Sequence, residues 1–345
     1  MIASLHNHTK RSDGELTPKD FFEEAHRCGI QCVAFTDHDA LLSDQDVHEL
    51  AREQERQGPG HSHWVSGIEM TASLRAHGNA SVHVAGLFVD WKNKDLISHC
   101  NKLQTACRSR MEKMVANLNG LGFAVTVEEC LAASGREGNV RRPHIVKALS
   151  LNPAVNDPII RSLIDKASED PSLAERAKAL RSKCPSPPGK IDYSVLYQLL
   201  FSEDALIPNI YVDYEYTLSV EESAELIRKA GGVCLFAHYC LYKKMFPIED
   251  LRKMIVDGTI DGAETIFEEK ANHEEMVSLV KELNCLSGGG GDIHEKHRIG
   301  EFAKTQGELS KGITEALLLS GKVPLESIKK HSSLYEYYVS LTGTK

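Results

Sequence analysis

The sequence has no Cys-x-x-Cys pair, no apolar run long enough to cross a bilayer and no signal-peptide pattern at its start. Its nine cysteines, an odd number, are scattered along the chain. A closed cysteine-zinc site and a disulfide framework are therefore not expected. We expect a cytoplasmic protein with reduced thiols and no membrane partner.

The chain has fewer basic than acidic residues, with 40 lysines and arginines against 49 aspartates and glutamates, and its net charge is −9. This balance excludes a global basic surface for duplex DNA, although a whole-chain sum leaves a local channel for single strands open. The remaining composition, 41% hydrophobic and 26% charged, is that of an ordinary globular protein. A length of 345 residues fits one large α/β barrel with an insertion, or two domains.

Short apolar runs alternate with amphipathic helical segments through most of the chain. Helix starts are marked by Thr17 before Pro18 and by the capping boxes Thr126-x-x-Glu129 and Ser219-x-x-Glu222. This alternation predicts an α/β fold with a parallel sheet, most simply a barrel. The predicted strands are residues 3–8, 31–36, 64–69, 81–89, 233–237, 260–266 and 285–288.

Residues 140–216 interrupt the alternation. Helical stretches there are separated by Pro153, Pro158 and Pro171, and no segment reads as a strand. We interpret this region as a helical insertion, or cap, that contributes substrate contacts. Residues 1–139 and 217–345 would then form the barrel that carries the chemistry.

Histidines and acidic residues fall at the ends of the predicted strands. His6 and His8, one residue apart, point the same way off a strand and can grip one metal ion. The carboxyl ends of barrel strands converge on one face, so residues distant in sequence can meet there. Imidazole and carboxylate ligands without thiolate suit Zn²⁺, Mn²⁺ or Fe²⁺ in open sites. The candidate ligands are His6, His8, Asp13, His38, Glu69, His83, His238, Asp292 and His294.

Each of these motifs alone has an ordinary structural explanation. A single His-x-His is more often a surface or core pair, Thr36-Asp37-His38 could be a helix cap, and His83 could be a satisfied strand histidine. The run Gly288–Gly291 lacks the lysine of a phosphate loop and reads as a tight turn that presents Asp292. Their joint occurrence at successive strand ends is what predicts a multinuclear metal site.

These residues resemble the motifs of the polymerase and histidinol phosphatase (PHP) family of metal-dependent phosphoesterases. The early motifs are His6-x-His8 with Ser12-Asp13-Gly14, Ala34-x-Thr-Asp-His38 and Gly67-Ile-Glu69. The late ones are Phe236-Ala-His238 and Asp292-x-His294. The resemblance spans nearly the whole chain. It implies a distorted (β/α)7 TIM-like barrel with a trinuclear metal centre, and two or three divalent ions (Mn²⁺, Zn²⁺ or Fe²⁺) as cofactors.

The resemblance also implies a role for each ligand. His6, His8 and Asp292 would hold the first metal, and Glu69 would bridge it to a second metal held by His83 and His238. Asp13, His38 and His294 would hold the third, and Glu69, Asp13 and His294 would be catalytic. Two departures stand out: Tyr239 follows His238 where the family has proline, and extra glycines precede Asp292 and could displace it.

Arg142-Pro-His144, followed by the insertion, is similar to the subgroup that acts on nucleoside 3′,5′-bisphosphates and short RNA ends. The resemblance implies that Arg142 and His144, with Arg141 beside them, bind phosphate; a solvated helix start is the alternative. The expected activity is phosphate-ester hydrolysis by metal-bound hydroxide, on a small phosphorylated nucleotide or a short single-stranded RNA. Alternatives are a histidinol-phosphate phosphatase, an amide hydrolase, and a non-catalytic, metal-stabilised scaffold.

Overall fold

The structure, a computed structural model, describes residues 1–135, 139–184, 191–202, 204–267 and 273–343. Contacts divide the chain into two compact units, Met1–Leu103 with Thr217–Lys345, and Gln104–Tyr216. The second unit ends where the predicted insertion ends, but it begins earlier than residue 140 because the helix Lys94–Gly120 runs across the boundary. The assignment of a barrel domain and a substrate-binding cap stays a prediction.

In the described part of the chain, the first unit contains one sheet of eight strands, in the order β1-β2-β3-β4-β6-β7-β8 with β5 beside β3. The strands are β1 Ala3–Ser4, β2 Cys32–Phe35, β3 His63–Leu74, β4 Ala80–Leu87, β5 Leu218–Ser219, β6 Val233–Phe236, β7 Gly262–Phe267 and β8 Leu286–Gly290.

The sheet is mixed, so the prediction of a parallel sheet was wrong for β4. β1–β2, β2–β3, β6–β7 and β7–β8 pair in parallel, whereas β4 runs antiparallel to both β3 and β6. The reason lies in the connection, because parallel neighbours need a crossover of roughly a dozen residues or more. Only residues 75–79 join β3 to β4, with Gly78 and Asn79 both at positive φ.

Backbone hydrogen bonds bring the two ends of the sheet together. Leu5 N–H donates to the Gly289 carbonyl at 3.1 Å, and His8 N–H donates to the Ile293 carbonyl at 2.9 Å. Asn7 and Ile293 also form a parallel bridge. The sheet is thus a nearly closed barrel, and the predicted distorted TIM-like barrel is confirmed.

Helices flank these strands and follow the predicted start signals. Thr17 Oγ1 accepts from Asp20 N–H, and both predicted capping boxes are present, at Thr126 and Ser219. The helices of the first unit, apart from Lys94–Gly120, are Pro18–Arg27, Asp44–Gln57, Val220–Lys229, Ile248–Val256, His273–Leu283, Lys296–Thr305, Ile313–Leu319, Leu325–His331 and Tyr335–Thr342.

The second unit is built from helices in its described residues. They are Val127–Ala133, Arg142–Leu149, Pro153–Ser168 and Ala174–Ser182, with a π-helical turn at Tyr197–Phe201 and the later part of Lys94–Gly120. Leu118, Ile160, Leu196 and Phe201 belong to its separate apolar core. Among the described residues of the whole chain, no helix is both long and apolar enough to cross a bilayer.

Candidate metal centre

The predicted ligands of the first unit all lie at one end of the barrel. The segment after β1 presents His6 and His8, and the loop beyond it presents Asp13. The other ligands follow or belong to successive strands: His38 after β2, Glu69 in β3, His83 in β4, His238 after β6, and Asp292 and His294 after β8.

Glu69 is at the centre of this group and is fully buried. Its Oε2 lies 3.2 Å from His6 Nε2, 3.2 Å from His8 Nε2 and 2.9 Å from His38 Nδ1. Its Oε1 lies 2.9 Å from His83 Nδ1 and 2.7 Å from His238 Nε2. One carboxylate therefore contacts imidazoles that come from four different parts of the barrel.

The ligand atoms form three overlapping groups, each within 4.8 Å: His6, His8, Glu69 and Asp292; His38, Glu69 and His83; and His8, Asp13, His38 and His294. His238 joins through its Nε2, which is 3.3 Å from His83 Nδ1. The structure thus brings all nine predicted ligands into one neighbourhood.

Asp292 reaches the group despite the extra glycines before it. Its Oδ1 lies 2.8 Å from His8 Nε2 and 3.5 Å from His6 Nε2. Gly288–Gly290 are the last residues of β8, and only Gly291 lies between this strand and Asp292, so the predicted tight turn was wrong. They are needed there, since a Cβ at Gly290 would lie 2.6 Å from Ser4 Oγ and 2.7 Å from His6 N.

Burial and opposite charges act against each other on the carboxylates. Burial would raise their pKa values, but the surrounding imidazoles outweigh it and hold the pKa of Asp13, Glu69 and Asp292 well below the usual range. The site therefore keeps three carboxylates ionised, which is the state a divalent cation requires.

The pKa values of the histidines shift in different directions, according to the charges nearest to each ring. Burial lowers the pKa of His38 to about 4, although Glu69 opposes it. At His294 the effect of burial is outweighed by Asp13 and Asp292, and its pKa rises to about 10. Glu264, Glu69 and Asp292 similarly overcome the effect of burial at His6 and raise its pKa well above the usual value.

Donor chemistry and spacing both fit divalent cations. Ligand atoms about 2.1 Å from a tetrahedral ion lie about 3.4 Å from one another, close to the spacing found around Glu69. Within the described residues, the buried His6 Nε2, His8 Nε2 and Glu69 Oε2 make no hydrogen bond of normal geometry. Buried polar atoms left in this state are costly unless something else satisfies them.

Two buried residues behind the ligands were missed as functional candidates by the sequence reasoning. Asp37 accepts hydrogen bonds from Thr9 N–H at 2.7 Å and Ser12 Oγ at 2.8 Å, which fixes the loop after β1. Glu264 contacts His6 Nδ1 at 2.7 Å. The available signal for Glu264 was a charged residue inside an otherwise uncharged strand, Gly262–Phe267.

The predicted phosphate-binding residues lie in the second unit and have contacts within it. Arg141 Nη1 donates to Tyr214 Oη at 3.0 Å, and Arg142 Nη1 donates to the Phe201 carbonyl at 2.8 Å. His144 Nδ1 accepts from Arg141 N–H at 2.8 Å at the start of the helix Arg142–Leu149. These contacts order the helix start, and phosphate binding by the three residues stays a prediction.

Fold and site together define a class: a barrel hydrolase whose clustered histidines and carboxylates could hold metal ions. Residues 4–134 match the PHP domain model. The chain is 27% identical over 295 residues to a 3′,5′-nucleoside bisphosphate phosphatase of Chromobacterium violaceum, covering 84% of this chain and 86% of that one. It is 25% identical over 305 residues to a phosphoribosyl 1,2-cyclic phosphate 1,2-diphosphodiesterase of Eggerthella lenta, covering 86% and 95% respectively.

A 5′-3′ exoribonuclease of Haemophilus influenzae is 21% identical over 84% of this chain and 89% of its own. The fold also matches the structure of an amidohydrolase from Chromobacterium violaceum with bound sulfate and no metal. Its TM-score is 0.64 at 19% identity, covering 86% of this chain and 88% of that one. The expected resemblance is confirmed over residues 4–134, which match the PHP domain, and the relatives support a hydrolase that acts on phosphate esters.

Proposed function

We propose that this enzyme hydrolyses a phosphate monoester of nucleoside 3′,5′-bisphosphates, with two or three divalent cations at the barrel site. The observation that carries the proposal is the convergence of eight imidazole and carboxylate side chains around the buried Glu69. No structural role needs so many titratable groups in contact, because burying them without a counter-ion is costly.

The contacts support a specific assignment of ligands. His6, His8 and Asp292 would hold one ion, His83 and His238 a second, and Asp13, His38 and His294 a third. Glu69 would bridge the first two, since its Oε2 faces His6 and His8 and its Oε1 faces His83 and His238. His38 and His8 each lie within reach of two of the three positions.

Divalent cations at such positions supply a water of lowered pKa and stabilise charge on phosphoryl oxygens. The chain's own residues make this possible by staying ionised and fixed. Glu69, Asp13 and Asp292 provide three negative charges at neutral pH. We assign the catalytic roles to Glu69, Asp13 and His294. His294, whose side chain is 30% exposed, is the ligand most open to incoming substrate.

Metal identity follows ligand type only in part. Imidazole and carboxylate donors accept Mn²⁺, Zn²⁺ and Fe²⁺, and supply in the cell decides among them. We propose Mn²⁺ as the first ion to test. Arg141, Arg142 and His144 are the proposed phosphate contacts because a guanidinium can pair two phosphoryl oxygens in its plane.

The nucleotide substrate rests on the bisphosphate phosphatase relative, which aligns along 84% of this chain. Hydrolysis at short RNA 5′ ends is the second candidate, and the exoribonuclease relative favours it. Both substrates are small and phosphorylated, and neither is a duplex. This agrees with a net charge of −9, which disfavours the binding of duplex DNA.

The test compares substrates side by side at saturating Mn²⁺. Phosphate release is measured from adenosine 3′,5′-bisphosphate and histidinol phosphate, ring opening from phosphoribosyl 1,2-cyclic phosphate, and mononucleotide release from an RNA pentamer. We expect the highest kcat/KM with the bisphosphate. Faster reaction with another member of the set would reject the proposed substrate. No reaction with any of them, despite bound Mn²⁺, would favour the scaffold alternative.

A further inference from the structure

Glu264 is a buried carboxylate in the middle of β7, with 3% of its surface exposed. Its strand neighbours Ala263, Thr265 and Ile266 are uncharged. In the described part of the chain, Glu264 does not belong to any of the three groups of candidate metal ligands. A carboxylate in such surroundings is costly unless both of its oxygens are satisfied. Its partners therefore indicate what it does.

The two oxygens of Glu264 contact two different strand ends. Oε1 lies 2.7 Å from His6 Nδ1, in the segment after β1. Oε2 accepts a hydrogen bond from the backbone N–H of His238 at 2.9 Å, two residues after the end of β6. Both partners are proposed metal ligands, and they lie on opposite sides of Glu264 in the barrel.

At His6 the contact fixes the tautomer. In a contact between a carboxylate and an imidazole the carboxylate oxygen accepts, so we place the ring proton on His6 Nδ1. The other ring nitrogen, Nε2, is then free of its proton when the ring is neutral. This atom faces Glu69 Oε2 at 3.2 Å and Asp292 Oδ1 at 3.5 Å. A carboxylate behind a ligating histidine is the arrangement that orients the ring and strengthens its binding.

At His238 the contact holds an uncommon backbone conformation. His238 has φ of 28° and ψ of 54°, which few residues other than glycine adopt. Such conformations persist only where the surroundings enforce them. The hydrogen bond to Glu264 is one such constraint, and it sets where the His238 ring leaves the chain.

We infer that Glu264 is a positioning residue, which aligns His6 and His238 for two different metal ions without binding either. The inference rests on the proposed function, in which those two histidines are ligands. It extends that proposal, because it assigns the coupling between two ion positions to one side chain that does not belong to the ligand set.

The test is Glu264→Gln, measured by equilibrium binding of Mn²⁺ to metal-free protein. Glutamine has nearly the same shape but only one acceptor oxygen, so its amide cannot accept from both His6 and His238. We expect Mn²⁺ affinity to fall about 10- to 100-fold, as is typical when the partner of a ligating histidine is lost. Raising Mn²⁺ to saturation should restore most of the turnover.

Asp261→Asn is the matched control. Asp261 directly precedes β7, and its Oδ2 likewise accepts from a β6 backbone N–H, that of Cys234, at 2.8 Å. Its other oxygen accepts from Arg228 instead of a proposed ligand. We expect this variant to lose some thermal stability and to keep wild-type Mn²⁺ affinity.

The outcomes separate the inference from the proposed function. If wild-type protein binds no Mn²⁺, the proposed function fails. If wild type binds and Glu264→Gln binds equally tightly, the positioning role is refuted while the function survives. If Glu264→Gln and Asp261→Asn both lose Mn²⁺ affinity in proportion to their loss of melting temperature, Glu264 has only a structural role. Glu264→Asp, which keeps two acceptors on a shorter side chain, should lie between wild type and Glu264→Gln.

Discussion

Among conservative substitutions at this site, we expect Glu69→Gln to weaken metal binding most. The substitution keeps the volume of the side chain and removes one negative charge. Glu69 is fully buried, and both of its oxygens contact imidazoles at 2.7–3.2 Å. Two of the three proposed ion positions include this carboxylate, so a single change affects both.

The size of the effect can be bounded from these contacts. Loss of an outer partner of a metal ligand weakens binding about 10- to 100-fold. Glu69 is the proposed ligand of ions at two positions, so its loss should weaken binding at least about 10- to 100-fold at each. The combined Mn²⁺ affinity should then fall about 10²- to 10⁴-fold. This corresponds to about 3–5 kcal/mol at 1.36 kcal/mol for each factor of ten.

The assay uses protein stripped by a chelator and titrated with Mn²⁺, followed by phosphate release from adenosine 3′,5′-bisphosphate. Glu53→Gln is the control, because Glu53 is also a buried glutamate but pairs with Arg56 in the helix Asp44–Gln57. Glu53→Gln should keep wild-type metal binding and turnover. If Glu69→Gln folds, binds Mn²⁺ with wild-type affinity and turns over at the wild-type rate, the bridging role is wrong.

Two further outcomes follow from the structure. In metal-free protein the pKa of His6 lies well above its usual value and that of His294 at about 10, so cation binding must displace protons. Mn²⁺ affinity should rise about tenfold per pH unit for each displaced proton between pH 6 and 8, and a flat profile would contradict this. Gly290→Ala should lower the free energy of unfolding by about 1–3 kcal/mol and weaken Mn²⁺ binding, since its Cβ would lie 2.7 Å from His6 N. Urea titration measures the first effect.

Gly300→Ala is the matched control for the glycine prediction. Gly300 lies within the helix Lys296–Thr305, and among the described residues outside that helix the nearest atom to an added Cβ is Cys28 Sγ, at 3.6 Å. This variant should be neutral or up to about 1 kcal/mol more stable than wild type, because alanine is the better helix former. Equal destabilisation in both variants would show that steric crowding at Gly290 is not the cause.

Local signals in the sequence predicted the helix starts well. The capping boxes at Thr126 and Ser219 are present because a cap involves residues only three apart. Strand direction was predicted poorly, since the antiparallel β3–β4 pair depends on a short connection whose turn type was not recognised. The tail, Tyr335–Thr342, forms a helix despite its aromatic and β-branched residues, and its partly buried Tyr337 and Tyr338 pack against the apolar core of the first unit.

In the candidate site, too, some residues could be predicted from local sequence and others could not. His6, His8, His38 and Asp292 could be found because a strand end followed by a polar, metal-binding residue is visible in a short stretch of sequence. Glu264 could not be assigned this way, because its partner His6 is 258 residues away and no local motif links them. Residues that support the ligands become visible only when the barrel brings distant strands together.

Anomalous scattering at the manganese edge, from crystals of the full chain soaked in Mn²⁺, would locate the cations directly. We expect peaks beside Glu69, one toward His6, His8 and Asp292 and another toward His83 and His238, with a third beside Asp13, His38 and His294. Peaks elsewhere on the protein, or none at the barrel site under conditions where the enzyme is active, would contradict a shared metal centre.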